Sequence, residues 1–140
     1  MLSLMRDRRG FTLLELLVVL AVMGLLAAIA LPRVVGYFGR AKGEVAKIEI
    51  ETIRAGLDLF RIDMGRYPAA AEGVAALVKA PAGGSRWRGP YLKNGEPPRD
   101  PWGNPYVYEQ RAGDPPFRLY SLGADGRPGG EGEAADIGLR

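Results

Sequence analysis

The chain contains no cysteine and no histidine in its 140 residues. Without cysteine there can be no disulfide and no thiolate metal site, and without histidine the commonest catalytic base and nitrogen ligand is missing too. Serine and cysteine triads are therefore excluded. Excess charge of one sign is also scarce. The net charge is +3, but Arg6, Arg8 and Arg9 against Asp7 supply +2 of it, which leaves +1 for everything after residue 10. There is no basic stripe, and Arg86 and Arg88 around Trp87 form a pair rather than a patch, so no nucleic-acid footprint is present. Proline is absent from Val34 to Met64, whereas most of the eleven Pro and twenty Gly lie beyond Met64. Loops and turns are thus expected in the second half.

Charge is nearly missing from one long stretch. From Phe11 to Leu31 the only ionisable side chain is Glu15. At about 1.5 Å per residue a helix of that length covers roughly 32 Å, about one bilayer core. A carboxylate inside a span costs about 3 kcal/mol at mid-helix and less near an end, so Glu15 requires a shallow position or a partner. Arg6, Arg8 and Arg9 directly precede the span, which keeps the amino terminus cytoplasmic and sends the rest across the membrane. A cleaved secretory signal fits poorly. The apolar run is too long, and Ala27 to Ala30 lead straight into Pro32 and a further helical pattern. Pro32 predicts a kink or local opening of the helix around Ala28 to Pro32, or alternatively the end of the span.

Beyond Pro32 helical spacing resumes and runs to about residue 65, where Gly65 is placed to cap the helix and Pro68 to block its return. At about 100° per residue, Ala46, Ile50, Ile53, Leu57, Phe60 and Met64 share one face, while Ala41, Val45, Ile48, Ala55, Leu59 and Ile62 share the opposite one. One small domain needs one apolar face. The second points to packing against copies of the same chain, unless the carboxy-terminal domain wraps both. Gly36, Gly39, Gly43 and Gly56 weaken an isolated helix and permit close helix packing.

The spacing predicts a short second helix over 70–79 and an antiparallel pair of strands beginning at Tyr106 and at Phe117, a small sheet over about 106–121. The aromatic and proline series Trp87, Pro90, Tyr91, Pro101, Trp102, Pro105, Tyr106 reads as side chains packing a loop onto a core rather than as a ligand cage. Ser121 to Ile137 then carries Asp125, Glu131, Glu133 and Asp136 against the single Arg127. Oxygen donors on a flexible, Gly-rich loop suit Ca²⁺ better than Mg²⁺, but the spacing is not that of an EF-hand, and a solvated acidic turn explains the same residues.

Gly10-Phe11-Thr12-Leu13-Leu14-Glu15 after a short basic leader resembles the processing site of type IV prepilins and type II secretion pseudopilins. The resemblance extends through Gly65-Arg66-Tyr67-Pro68, Glu72-Gly73-Val74 with Leu77, Gly89-Pro90-Tyr91-Leu92, Asp100-Pro101-Trp102-Gly103-Asn104-Pro105-Tyr106 and Gly123-Ala124-Asp125-Gly126, in the order found in major pseudopilins. Two stretches depart from it: Ala69 to Ala71 after Tyr-Pro, and the Asp136-Ile137-Gly138-Leu139-Arg140 end. The resemblance implies an α+β, type IV pilin-like fold, a long amino-terminal helix on a small antiparallel sheet with a loop-rich carboxy-terminal region. It implies a leader over 1–10, a transmembrane and filament-core helix over 11–32 and a periplasmic domain over 33–140.

It also implies cleavage after Gly10 by a prepilin peptidase and N-methylation of Phe11. The new Phe11 amine would then be the partner of Glu15 on a neighbouring subunit. A calcium loop over 121–137 follows by position, with Asp125 and Asp136 as side-chain ligands, the Leu122 and Arg127 carbonyls as donors, and Glu131 or Glu133 as further candidates. The implied partners are membrane lipid before assembly, the chain itself in a helical homopolymer, minor pseudopilins and the inner-membrane assembly platform, with no nucleic acid. On this reading the chain is a non-enzymatic subunit of a short periplasmic filament that exports folded proteins across the outer membrane. The alternatives are a type IV pilin or a DNA-uptake pseudopilin. An anchored enzyme is the rival class, and with only Asp125, Asp136 and their neighbours on one small loop it lacks a cleft for substrate.

Overall fold

The computed structural model describes residues 10–139. One helix, α1 (Leu13–Met64), is followed by a 3-10 helix (Gly73–Leu77), strands β1 (Val107–Gln110) and β2 (Phe117–Ser121), a second 3-10 helix (Gly132–Ala134) and strand β3 (Ile137–Leu139). The chain divides into two compact units, one ending at Tyr37 and one beginning at Phe38.

The described part of the first unit is exposed helix and the residues leading into it. Its apolar run is long and apolar enough to cross a membrane. Pro32 lies inside α1, which passes through Ala28 to Pro32 without interruption, so the expected local opening at that residue is absent. Proline withdraws only its own N–H from the helical ladder, and the residues on either side retain theirs.

The second unit packs the rest of α1 against the sheet. Ala46, Ile50, Ile53, Leu57, Phe60 and Met64 are all buried, as the first face requires, and meet Val74, Leu77, Leu92, Tyr106, Phe117 and Leu119 in one core. The opposite face stays in water: Ile48 is 67% and Ile62 76% exposed, and Val45 and Leu59 are exposed beside them. The carboxy-terminal region therefore covers one face of α1, not both.

The sheet is antiparallel in the order β1-β2-β3, with Tyr108 opposite Leu119 and Tyr120 opposite Gly138. β2 alternates as its sequence requires, burying Phe117, Leu119 and Ser121 and exposing Arg118. Strand β3 is absent from the expected pair of strands. The expected helix over 70–79 shrinks to the five residues of the first 3-10 helix, and on its amino-terminal side Gly73 takes φ 54°, outside the right-handed helical region.

The Gly65-Arg66-Tyr67-Pro68 turn ties the end of α1 to the sheet. Gly65 leaves the helix at φ 75° and donates its N–H to the Arg61 carbonyl at 2.8 Å, the expected carboxy-terminal cap. Arg66 holds Glu72 through two bonds of 2.6 and 2.8 Å, and Glu72 also accepts the Ala69 N–H at 2.7 Å. The Arg66 bonds lower the Glu72 carboxyl below its ordinary range. The buried Pro68 offers its carbonyl to the Tyr108 hydroxyl at 2.8 Å and the Gln110 amide at 2.9 Å. Arg86 donates to the Met64 carbonyl at 3.0 Å, placing a cation on the last turn of α1.

The aromatic series packs loops, as expected. The Trp87 indole donates to the Ala76 carbonyl at 2.9 Å, the Tyr91 hydroxyl to Asp63 at 2.7 Å, and the Tyr106 hydroxyl to Glu49. Burial raises the Tyr106 phenol far above its ordinary value and pushes Tyr108 up to about 12, so both stay neutral donors.

Candidate functional site

Two places hold the residues singled out by the sequence, one in each unit. In the first unit Gly10, Phe11 and Thr12 are exposed and non-helical, and α1 begins at Leu13. The Gly10–Phe11 bond is accessible, and the rest of the leader expected over 1–10 lies outside the described residues. Thr12 supplies what spacing alone did not single out. Its hydroxyl accepts the Glu15 N–H at 3.2 Å and its carbonyl accepts the Leu16 N–H at 3.2 Å, so it is the amino-terminal cap of α1. The signal was legible as Thr-x-x-Glu ahead of an apolar run, the capping-box pattern. Capping at Thr12 puts Glu15 in the first turn, where the positive end of the helix dipole favours a carboxylate.

In the second unit the loop after β2 is anchored through buried polar groups. Asp100 is 4% exposed, and it accepts the Asn104 N–H at 2.8 Å, the Trp102 N–H at 3.1 Å and the fully buried Ser121 hydroxyl at 2.5 Å. Ser121 in turn accepts the Gly123 N–H at 3.0 Å, and the Asn104 amide donates to the Gly123 carbonyl at 2.8 Å. The Asp100-Pro101-Trp102-Gly103-Asn104 turn is therefore a clip on the start of the loop. Asp100 and Asn104 were read as turn residues only; their partners lie about twenty residues away in sequence, where local spacing does not reach.

Within the loop Asp125 is exposed and accepts the Arg127 N–H at 3.1 Å. Asp136 accepts the Gly129 N–H at 3.1 Å and returns its own N–H to the Gly129 carbonyl at 3.2 Å. Leu122 is half-buried and Glu131 exposed. Glu133 turns to α1, where its side chain fills the space beside Gly39. Among the described residues no three acidic side chains come together as a metal-holding group, so Glu131 and Glu133 do not join Asp125 and Asp136 in one cluster. The donors that the loop does offer are oxygens only, two carboxylates and the carbonyls of a Gly-rich turn. That chemistry fits a hard cation of loose geometry.

The family described as type II secretion system (T2SS), protein G, matches residues 33–140, and the prokaryotic N-terminal methylation motif matches residues 5–31. Type II secretion system core protein G of Pseudomonas aeruginosa is 46% identical over 137 residues, covering 95% of each chain. The core protein G of Vibrio cholerae is 39% identical over 137 residues, covering 96% of this chain and 92% of the relative. The crystal structure of the major pseudopilin from the type 2 secretion system of enterohaemorrhagic Escherichia coli superposes with a TM-score of 0.57 at 28% identity, covering 74% of this chain and 90% of that one.

Proposed function

The chain belongs to the protein G family of type II secretion systems, and from that membership we propose that it acts as the structural subunit of a short periplasmic pseudopilus driving export of folded proteins across the outer membrane. The observation that carries this reading is the second apolar face of α1. A helix whose own domain buries Ile50, Ile53 and Leu57 while Ile48, Leu59 and Ile62 stay in water has a surface for another copy of itself.

Prepilin peptidase cuts after Gly10 and methylates Phe11, and the amino-terminal arginines hold that end in the cytoplasm while the second unit lies in the periplasm. Lipid covers the apolar half of α1 until assembly, when the inner-membrane platform and the minor pseudopilins receive the subunit. The charged Phe11 amine then meets Glu15 of a neighbour. Two groups that are each costly in lipid become tolerable as a pair, and the pairing fixes the register. Thr12 contributes by holding Glu15 in the first turn before a partner arrives. The chain itself catalyses nothing.

For the carboxy-terminal loop the proposal is one structural Ca²⁺. Asp125 and Asp136 would supply carboxylates and the Leu122 and Arg127 carbonyls further oxygen. The bound cation would neutralise two acidic groups on a loop that is entropically costly to order.

Mass spectrometry of the amino terminus of protein from native membranes tests the processing on which assembly depends. The expected terminus is N-methyl-Phe11, and an intact Met1 or an unmodified Phe11 in assembled filaments overturns it.

A further inference from the structure

The geometry points to a latch between the carboxy-terminal loop and α1: the Glu133 side chain occupies the space that Gly39 leaves empty, and it fastens the loop to the helix independently of any cation. A Cβ placed on Gly39 would run into Cγ, Cδ and Oε1 of Glu133. Gly39 is buried, whereas Phe38 and Arg40 on either side of it are exposed, so the covering is local to this one residue. The tail then follows the same helix face. Ile137 Cδ1 lies 3.5 Å from where a Gly43 side chain would begin, and Ile50 Cδ1 lies 3.0 Å from that of Gly138. Gly39, Gly43, Ala46 and Ile50 recur at helical spacing on one line.

The small residues on that line are thus occupied by the chain's own loop, not kept for a second helix as their spacing alone implied. Glu133 suits the task because its side chain is long enough to reach the helix, and its carboxyl group lies in the notch with Cγ where Gly39 leaves the backbone bare. Its backbone carbonyl takes the Ala124 N–H at 2.8 Å, so one residue closes the loop on itself and docks it on α1.

The test is a double-mutant cycle on the full-length protein in detergent, with EGTA present, read by thermal melting and by hydrogen exchange of peptides from residues 122–138. Alanine is a better helix residue than glycine, so Gly39→Ala with no neighbour in the way raises the melting temperature. With Glu133 in place the new methyl displaces the latch. The expected result is a lowered melting temperature and severalfold faster exchange in the loop. Glu133→Ala alone also speeds the exchange, and in that background Gly39→Ala reverses sign and stabilises, because the methyl enters the vacated notch. Glu133→Gln keeps the packing and exchanges like the wild type.

Stabilisation by Gly39→Ala in the wild-type background overturns the latch, as does equal destabilisation in both backgrounds. So does a Glu133→Gln loop as loose as that of Glu133→Ala. A calcium arm reports separately on Asp125 and Asp136: a loop indifferent to Ca²⁺ whose two substitutions still couple removes the cation and supports the latch.

Discussion

Replacing isoleucines on the two faces of α1 should separate folding from assembly. Ile53 is 1% exposed in the core, and truncating it to alanine costs about 2–5 kcal/mol through lost burial and the cavity left behind. For a folded unit of this size that lowers the melting temperature by about 10 °C or more. Ile48 and Ile62 keep 67% and 76% of their surface in water, so Ile48→Ala and Ile62→Ala should alter folding stability by no more than about 0.5 kcal/mol.

Assembly reverses the ranking. Full burial of an isoleucine side chain contributes about 1.5–3 kcal/mol, and these two residues have most of it still to gain. The double variant therefore loses roughly 2–4 kcal/mol at each subunit contact, about 30-fold to 1,000-fold in association constant. Melting followed by circular dichroism in detergent reads the first effect, and the yield of sheared filaments with electron microscopy reads the second. Wild-type filament yield from Ile48→Ala/Ile62→Ala refutes the reasoning. So does a melting temperature as depressed as that of Ile53→Ala.

Glu15→Gln should leave membrane insertion intact and block assembly, because an amide cannot pair with the Phe11 amine; normal filaments from this variant remove the pairing. Asp125→Ala should lower the melting temperature in calcium and abolish the response to EGTA, and a wild-type melting temperature indifferent to EGTA ends the calcium proposal. Glu72 gives a pH dependence. Its folded value is depressed below 4.5, chiefly by the Arg66 hydrogen bonds, so its stabilisation is present above that value and lost as pH falls through the folded one. An exposed pair of this kind is worth about 0.5–1 kcal/mol, so Glu72→Gln should flatten the acid limb of the stability curve below about pH 4.5 by that amount. Superimposable acid titrations of variant and wild type would show that Arg66 and Glu72 are not coupled.

The long helix and both of its faces were legible because a 3.6-residue period over thirty residues is the strongest signal a sequence carries. Its end was legible because Gly65 and Pro68 act locally. The sheet was legible for β1 and β2, where alternation and a proline-rich turn adjoin. β3 was not: Ile137-Gly138-Leu139 is too short to show a period, and what makes it a strand is pairing with Tyr120, a tertiary fact. The helix expected over 70–79 is shorter than its spacing implies, and Gly73 there takes a local dihedral that apolar spacing does not reveal. At the sites, Gly10, Phe11 and Glu15 could be read from a short motif, whereas Thr12 was visible only to capping chemistry. Asp125 and Asp136 could be named from composition and resemblance. The position of Glu133 depends on Gly39, about ninety residues earlier, and no local pattern connects them.

The absence of cysteine also explains why the carboxy-terminal loop is tied at so many points. A disulfide closing a loop of this length contributes about 2–4 kcal/mol, mainly by restricting the unfolded chain, and acts through one bond. Here the start of the loop is held by Asp100 and Asn104 through Ser121 and Gly123, its middle by Ala124 on Glu133 and Gly129 on Asp136, and its end by the pairing of β3 with β2. Each hydrogen bond contributes about 1 kcal/mol net, so no single tie equals a disulfide. Several of them match one only when all form together. Ordering one end of the loop brings the next donor to its acceptor, which makes the ties cooperative and the loop sensitive to the loss of any one. A cation between Asp125 and Asp136 would act on an already closing loop, and this is why its removal should lower the melting temperature without unfolding the core that Ile53, Leu57 and Phe117 hold in place.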